Sequence, residues 1–193
     1  MHTLTGVELI LDVGCGAGRT LNSFGVTPDD KMIGVDVDHH RVRAANLSFP
    51  ERVYFVSRGE ALGLDALQFT RVIANMSLPY MNIPQALSEM YRVLLPGGKV
   101  SLTLHRSSFT WHELKSTRRV TPFLFRLYVL LNGVFFYLFG RTFACPFTAR
   151  TESFQTDHGM RLALKRCGFT QIRFGMLGPR FLAEAAKPKN NQT

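Results

Sequence analysis

Residues 10–18 read ILDVGCGAG, a short apolar run that meets an acid and then places three glycines in five positions. Ile10, Leu11 and Val13, bounded by glycine, predict a short buried strand, and Gly14, Gly16 and Gly18 predict a tight turn directly after it. Backbone that turns so sharply comes close to something. A dinucleotide-type GxGxxG fingerprint would need glycine at positions 14, 16 and 19, but position 19 is Arg. A P-loop is excluded too, because no Gly-Lys-Ser/Thr follows the turn.

Outward from this turn, apolar segments alternate with helix-like ones. Strands are predicted at 8–13, 32–36, 52–56, 71–75 and 98–104, with helices at about 18–24, 39–47 and 83–94, the pattern of βαβ crossovers and a parallel sheet between helical layers. RVIAN (71–75) and KVSLTL (99–104) are apolar on both faces, as strands buried between two layers must be. LPGGKV (95–100) reads as the stop between a helix and the strand after it. Farther on, a helix at 158–169 and strands at 171–176 and 180–187 follow, and the three residues LGP between those strands predict an antiparallel hairpin. One domain spanning 1–193 is expected, with 105–156 as a helical insertion after the fifth strand.

Within that insertion lies FLFRLYVLLNGVFFYLF (123–139), seventeen residues of which seven are aromatic. The run is short for a membrane span and is interrupted by Arg126, Asn132 and Gly133, so no transmembrane helix is expected. Gly133 is expected to divide it into two helical pieces. The final KPKNNQT is polar and expected to fray.

The chain has 193 residues, 46% of them hydrophobic, and a formal net charge of +9 that lies mostly in its second half. Such a balance suits RNA, an anionic membrane surface or an acidic substrate, or is simply a solvated basic face. Cys15, Cys145 and Cys167 stand far apart with no CxxC or Cys/His spacing, so neither a metal site nor a disulfide framework is expected. No charged leader precedes an apolar segment at the N-terminus, and a cytoplasmic protein is expected, with peripheral membrane contact left open.

The second strand, in IGVDVD (33–38), ends at Asp36, 18 residues past Gly18. A carboxylate there in a doubly wound sheet is placed to accept both ribose hydroxyls, which predicts a ligand containing adenosine and no pyrophosphate. With LDVGCGAG, IGVDVD, RGEAL (58–62), RVIANMSLPYM (71–81) and EMYRVLLPGGKVSLTL (89–104) in order, the chain resembles class I S-adenosylmethionine-dependent methyltransferases of the type 11 group. The resemblance covers 8–104 well and 158–187 loosely, and implies a Rossmann-like, mostly parallel seven-stranded sheet with S-adenosylmethionine as cofactor. It implies that Asp12 is the acid before the turn, that Gly14, Cys15 and Gly16 face the methionine part through their backbone, and that Gly18 is a further cofactor-binding position. Asp36 would hold the ribose, Val37 would lie against adenine with Glu60 and Ala61 at its edge, and Asn75 and Met76 would sit beside the reacting methyl. A sulfonium cation without phosphate suits carboxylates and carbonyls better than a basic loop.

Each of these residues also has a structural alternative. Asp12 suits bracing the turn, Glu60 suits starting a helix, and Asp38, ahead of HHRVRAAN, reads as an N-cap with His39 and His40 exposed in the first turn. Asp36, following a buried strand, needs a partner.

Methyl transfer is an in-line displacement that works largely by alignment and exclusion of water, with a general base where the acceptor must lose a proton. His105, after the fifth strand, and Tyr80, past the fourth, are the candidate catalytic residues, against structural roles for both. Trp111, His112 and Glu113 are candidates for the entrance. Segment 105–156 is expected to act as a lid, and its aromatic character predicts a small apolar or aromatic acceptor. The alternatives are an RNA methyltransferase, favoured by charge, and a domain that uses 123–139 as a protein-interaction face. Oligomeric state is left open.

Overall fold

The computed structural model describes residues 7–19, 24–27, 29–104, 120–148, 150–178 and 180–189. The expected helix at 18–24 falls largely outside them, as do His105, Trp111, His112 and Glu113.

The elements are β1 (Leu9–Val13), β2 (Lys31–Asp36), α1 (His39–Ser48), β3 (Val53–Val56), β4 (Phe69–Asn75), α2 (Ile83–Val93), β5 (Leu94–Leu104), α3 (Val120–Phe139), α4 (Asp157–Arg166), β6 (Thr170–Leu177) and β7 (Arg180–Ala186). They form a seven-stranded sheet in the order β3-β2-β1-β4-β5-β7-β6. The first five strands are parallel, and β7 runs antiparallel to both β5 and β6. The strand order reverses between β1 and β4, where ligands bind in open sheets of this kind.

Alternation along the strands builds two cores. Ile10 and Ile73 face one side with Met32, Val42, Ala45 and Tyr54. Their neighbours Leu11 and Val72 face the other, with Leu87, Met90, Leu164 and Phe169 from α2, α4 and the segment after it. β1 and β4 are apolar on both faces because both faces are covered. Asp38 caps α1 by accepting from the N–H groups of His40 and Arg41, and His39 and His40 lie exposed beyond it.

Three expectations are corrected. LPGGKV does not interrupt the chain between α2 and its strand: β5 begins at Leu94, paired with Phe69, and the ladder resumes at Lys99 with Arg71 after an irregularity. The glycines sit inside that bulge, at φ +81° for Gly97, whose N–H donates to the Lys187 carbonyl at 2.9 Å. Nor does Gly133 divide the apolar segment: α3 is one helix of 20 residues. A Cβ at Gly133 would fall 2.2 Å from the Phe154 ring, so glycine is there to let the 150–156 segment lie against the helix. At this length an 18-residue stretch, Pro122–Phe139, is also long and apolar enough to cross a membrane by length and composition, and the expectation that the run is short for a span is corrected with it.

α3 ends at Gly140, φ +58°, whose N–H donates to the Phe136 carbonyl at 2.7 Å, and Arg166 of α4 donates to the Phe139 carbonyl. Phe136 is fully buried against α4, where a Cβ at Gly159 would meet its ring at 2.7 Å.

Candidate active site

At the carboxyl edge of β1, β2 and β4 lies a cleft of about 1000 Å³. The three glycines of its first turn serve three purposes. Gly14 lines the cleft at φ +77°, and a Cβ there would fall 2.2 Å from Ser77 Cβ, so this glycine lets β1 close onto the end of β4. Ser77 fixes that contact by donating its hydroxyl to the Val13 carbonyl at 2.6 Å. Gly18 makes room for the Phe49 and Tyr54 side chains, whereas a Cβ on Gly16 would meet nothing within 4 Å. Backbone approaches another part of the chain at Gly14 and Gly18 and leaves open space at Gly16.

Asp36, at the end of β2, is buried and lines the cleft. Its Oδ2 accepts from the Gly16 N–H at 2.8 Å and its Oδ1 from the Asp38 N–H at 2.9 Å. The partner expected from the sequence is therefore supplied first by backbone, which locks the glycine turn to the β2–α1 turn. Each carboxylate oxygen still has a lone pair for a ligand hydroxyl. Val37 follows, 63% exposed.

Glu60 starts no helix; it lies in a turn bridged by Arg58 and Ala61. Its Oε1 accepts from the Asn82 N–H at 2.9 Å, tying this turn to the start of α2, and Oε2 lies 4.0 Å from Arg58. At the end of β4, Asn75 Oδ1 accepts from the Thr103 hydroxyl at 2.7 Å and from Arg180 Nη1 at 2.9 Å. Arg180 has no acceptor, so this contact fixes which end of the amide is oxygen and leaves the NH₂ as the donor available to a ligand. Met76 holds φ +59°, a conformation rare for a side-chain-bearing residue, and its N–H donates to Thr103.

The structure thus brings Gly14, Asp36, Val37, Glu60, Asn75, Met76 and Tyr80 to one cleft. Asp12, Cys15, Gly16, Gly18 and Ala61 are outside its lining. Asp12 is fully buried in β1, and Cys15 packs into the core beside Tyr54. Burial first, then the charges of Asp12 and Asp36, push the Cys15 thiol well up, which keeps it protonated and unreactive. Among the described residues no group of three or more His, Cys, Asp or Glu is placed to hold a metal ion.

Sequence reasoning missed Ser57, Gly59, Ser77 and Met81, and above all Arg150, Thr151 and Glu152, which also line the cleft. Glu152 pairs with Arg126 of α3 at 3.2 Å, its N–H donates to the Tyr128 hydroxyl at 3.3 Å, and its carbonyl accepts from Asn132 Nδ2 at 2.9 Å. Tyr128 and Asn132 both donate to the Phe143 carbonyl, at 2.6 and 3.2 Å, and Asn132 Oδ1 accepts from the Phe143 N–H at 3.0 Å. Nothing in the spacing of these residues announces that network.

Residues 11–102 match the family described as a methyltransferase domain. The match covers just under half of the chain, and the fold around it is that of class I methyltransferases. A demethylmenaquinone methyltransferase of Lactococcus lactis aligns at 24% identity over 99% of this chain and 79% of its own. An O-methyltransferase of Pyrenophora dematioidea is 33% identical over 100 residues, 48% of this chain and 38% of the relative, so the match spans well under half of that protein. Among solved structures, a SAM-dependent methyltransferase from Methanosarcina mazei superposes with a TM-score of 0.62 at 20% identity, over 97% of this chain and 95% of that one.

The methyl donor of this methyltransferase fold is S-adenosylmethionine, and the residues present fit it. The open space over Gly16, the lone pairs of Asp36, the exposed Val37 and the oriented Asn75 amide are all at one sheet edge. Of the four carboxylates that line the cleft, Asp38, Glu60 and Glu152 each have an arginine beside them, and Asp36 is held by backbone N–H groups.

Proposed function

We propose that this chain transfers the methyl group of S-adenosylmethionine to a small acceptor carrying an apolar ring. The observation that supports this most directly is the mixed lining of the cleft: Asp36 and Val37 on the side of the glycine turn, and Met76, Tyr80 and Met81 past β4. A carboxylate and an apolar side chain suit the ribose and the adenine, while two thioethers and a phenol offer a pliable apolar surface to a second, flat molecule. Demethylmenaquinone, which names the Lactococcus relative, is an acceptor of this class.

S-adenosylmethionine supplies, when bound, an electrophilic methyl whose sulfur departs with the bonding pair. The chain has to align and desolvate. Asp36 would accept the ribose hydroxyls through the lone pairs that Gly16 and Asp38 leave unused. Asn75 would donate its NH₂, held in one orientation by Thr103 and Arg180. Tyr80 would orient the acceptor, and His105, next in sequence after β5, is the candidate to take its proton. Segment 105–156 would serve as cover through Arg150–Glu152.

The test is calorimetric titration with S-adenosylmethionine and S-adenosylhomocysteine, followed by transfer of labelled methyl to reduced demethylmenaquinone or to a malonyl thioester. Micromolar donor binding with transfer to the quinone ring is expected. Transfer to the thioester alone would overturn the acceptor class, and absence of donor binding would overturn the reading.

A further inference from the structure

The outer side of α3 is a second place where the chain spends apolar residues. Leu124, Leu127, Leu131, Phe135 and Leu138 recur at helical spacing and are 36–58% exposed. Across Pro122–Phe139 the mean hydropathy is 1.6, yet only 22% of that stretch is buried. The opposite face is committed to protein: Tyr128, Asn132 and Phe136 are buried, and Arg126 is paired with Glu152. A helix that crossed a bilayer would have to strip Asn132 from its hydrogen bonds and Arg126 from its ion pair. One that lies flat keeps both.

Charge says what covers the exposed face. From residue 105 to Arg166, where α4 ends, the chain has ten Lys and Arg against three Asp and Glu, whereas the rest has thirteen against eleven. This stretch therefore carries +7 of the net +9. Arg141 and Arg166 are exposed at the C-terminal end of α3, Lys165 is exposed next to Arg166 in α4, and Arg118 and Arg119 stand just before α3 in the sequence. Two copies joined through this face would bring like charges together; an apolar stripe with cations at its ends matches the boundary between acyl chains and anionic headgroups.

We infer that α3 docks flat on an anionic lipid bilayer, its Leu124–Leu138 stripe in the acyl boundary and the flanking cations on the headgroups. The same helix holds Arg150–Glu152 in the cleft lining through Arg126, Tyr128 and Asn132. Docking therefore places that lining beside the bilayer, from which an apolar acceptor would enter. Only this last step rests on the proposed activity.

Co-sedimentation of the full chain with vesicles of phosphatidylcholine alone, and with about one third phosphatidylglycerol, tests the docking. The expected result is capture by the anionic vesicles only, weakened at high salt, with at least a tenfold loss in Leu127→Glu/Leu131→Glu. Both positions are exposed, so unchanged S-adenosylhomocysteine affinity or thermal unfolding confirms that this variant folds; Leu131→Ser serves if it does not. Absence of capture by anionic vesicles at low salt, or equal capture of wild type and variant, overturns the inference. So does a wild-type dimer that the substitutions dissociate without any vesicle capture, which would make the face a contact between copies. Reduced demethylmenaquinone presented in vesicles and in detergent separates the two readings: docking predicts loss of the vesicle reaction alone in the variant. Wild-type turnover of neither, with vesicle capture intact, would fault the activity and leave the docking standing.

Discussion

The cleft edge at β1 and β2 is fixed by close backbone packing and one locked carboxylate, whereas the lining at Arg150–Glu152 hangs from side chains of a helix outside the sheet. In the first, Gly14 presses on Ser77, 63 positions away, and Asp36 joins two turns through N–H groups 20 and 2 residues away. In the second, Asn132, Tyr128 and Arg126 reach 11 to 26 residues along the chain to hold a segment with no regular structure of its own. Backbone geometry fixes a site tightly and tolerates few residue types; side-chain tethers hold a loop that is free to differ between relatives. On the proposed function, the donor side of the cleft is thereby constrained and the acceptor side adjustable.

The largest expected effect lies on the donor side. Gly14→Val puts a β-branched side chain at φ +77° and its Cβ 2.2 Å from Ser77, which should cost about 3 kcal/mol of stability and abolish S-adenosylhomocysteine binding. Thermal unfolding and calorimetry read both effects, and an unchanged unfolding temperature would mean that this turn is not rigid.

Next comes Asp36→Ala, which removes an acceptor expected to serve two hydroxyls. S-adenosylhomocysteine affinity should fall about 50-fold, corresponding to about 2.3 kcal/mol for charge-assisted hydrogen bonds, and Asp36→Asn should recover part of it. Equal binding by wild type and Asp36→Ala would remove the carboxylate from the site.

Asn132→Leu tests the other side. Losing a fully buried amide and leaving the Phe143 and Glu152 backbone groups short of partners should cost about 2 kcal/mol. The KM for the acceptor should rise about tenfold, the equivalent of 1.4 kcal/mol, with donor affinity unchanged. If donor affinity moves as much as the acceptor KM, the two sides are coupled and the contrast between them fails.

The smallest effect is a pH dependence. Glu89 of α2 accepts from Arg92 at 2.7 Å and from the Leu62 N–H at 3.0 Å, bracing the segment after the Glu60 turn. The Arg92 hydrogen bond, helped by Leu62 and opposed by burial, holds the Glu89 carboxyl below its usual range. Between the folded and unfolded values the unfolded chain binds the extra proton, so this stability is present above the ordinary glutamate range and is lost as pH falls through the folded value. Glu89→Gln should cost about 1 kcal/mol at neutral pH, given that the pair is partly exposed, and flatten the acid limb of the unfolding curve. An unaltered limb would assign it to other carboxylates.

The strands were legible because both sheet faces are apolar, so Ile10–Leu11 and Val72–Ile73 announce burial whichever way they point. Gly14 and Asp36 were legible because positive φ and a strand-end carboxylate leave residue-type signatures. Gly133 misled because glycine inside a helix reads as a break when the residue that needs its space, Phe154, lies 21 positions away. Asp36 misled in a smaller way: its first partners are backbone N–H groups, which carry no signature.

By itself the sequence determined the doubly wound sheet, the antiparallel end and the glycine-turn side of the cleft, because these rest on periodicity and on backbone conformations that only certain residues adopt. The tertiary structure alone decided that α3 is one continuous helix with its apolar face outward, that Arg180 sets the Asn75 amide, and that Arg150–Glu152 complete the cleft. Those features depend on contacts between residues far apart in the chain, and the chemistry of a residue does not say what it will meet.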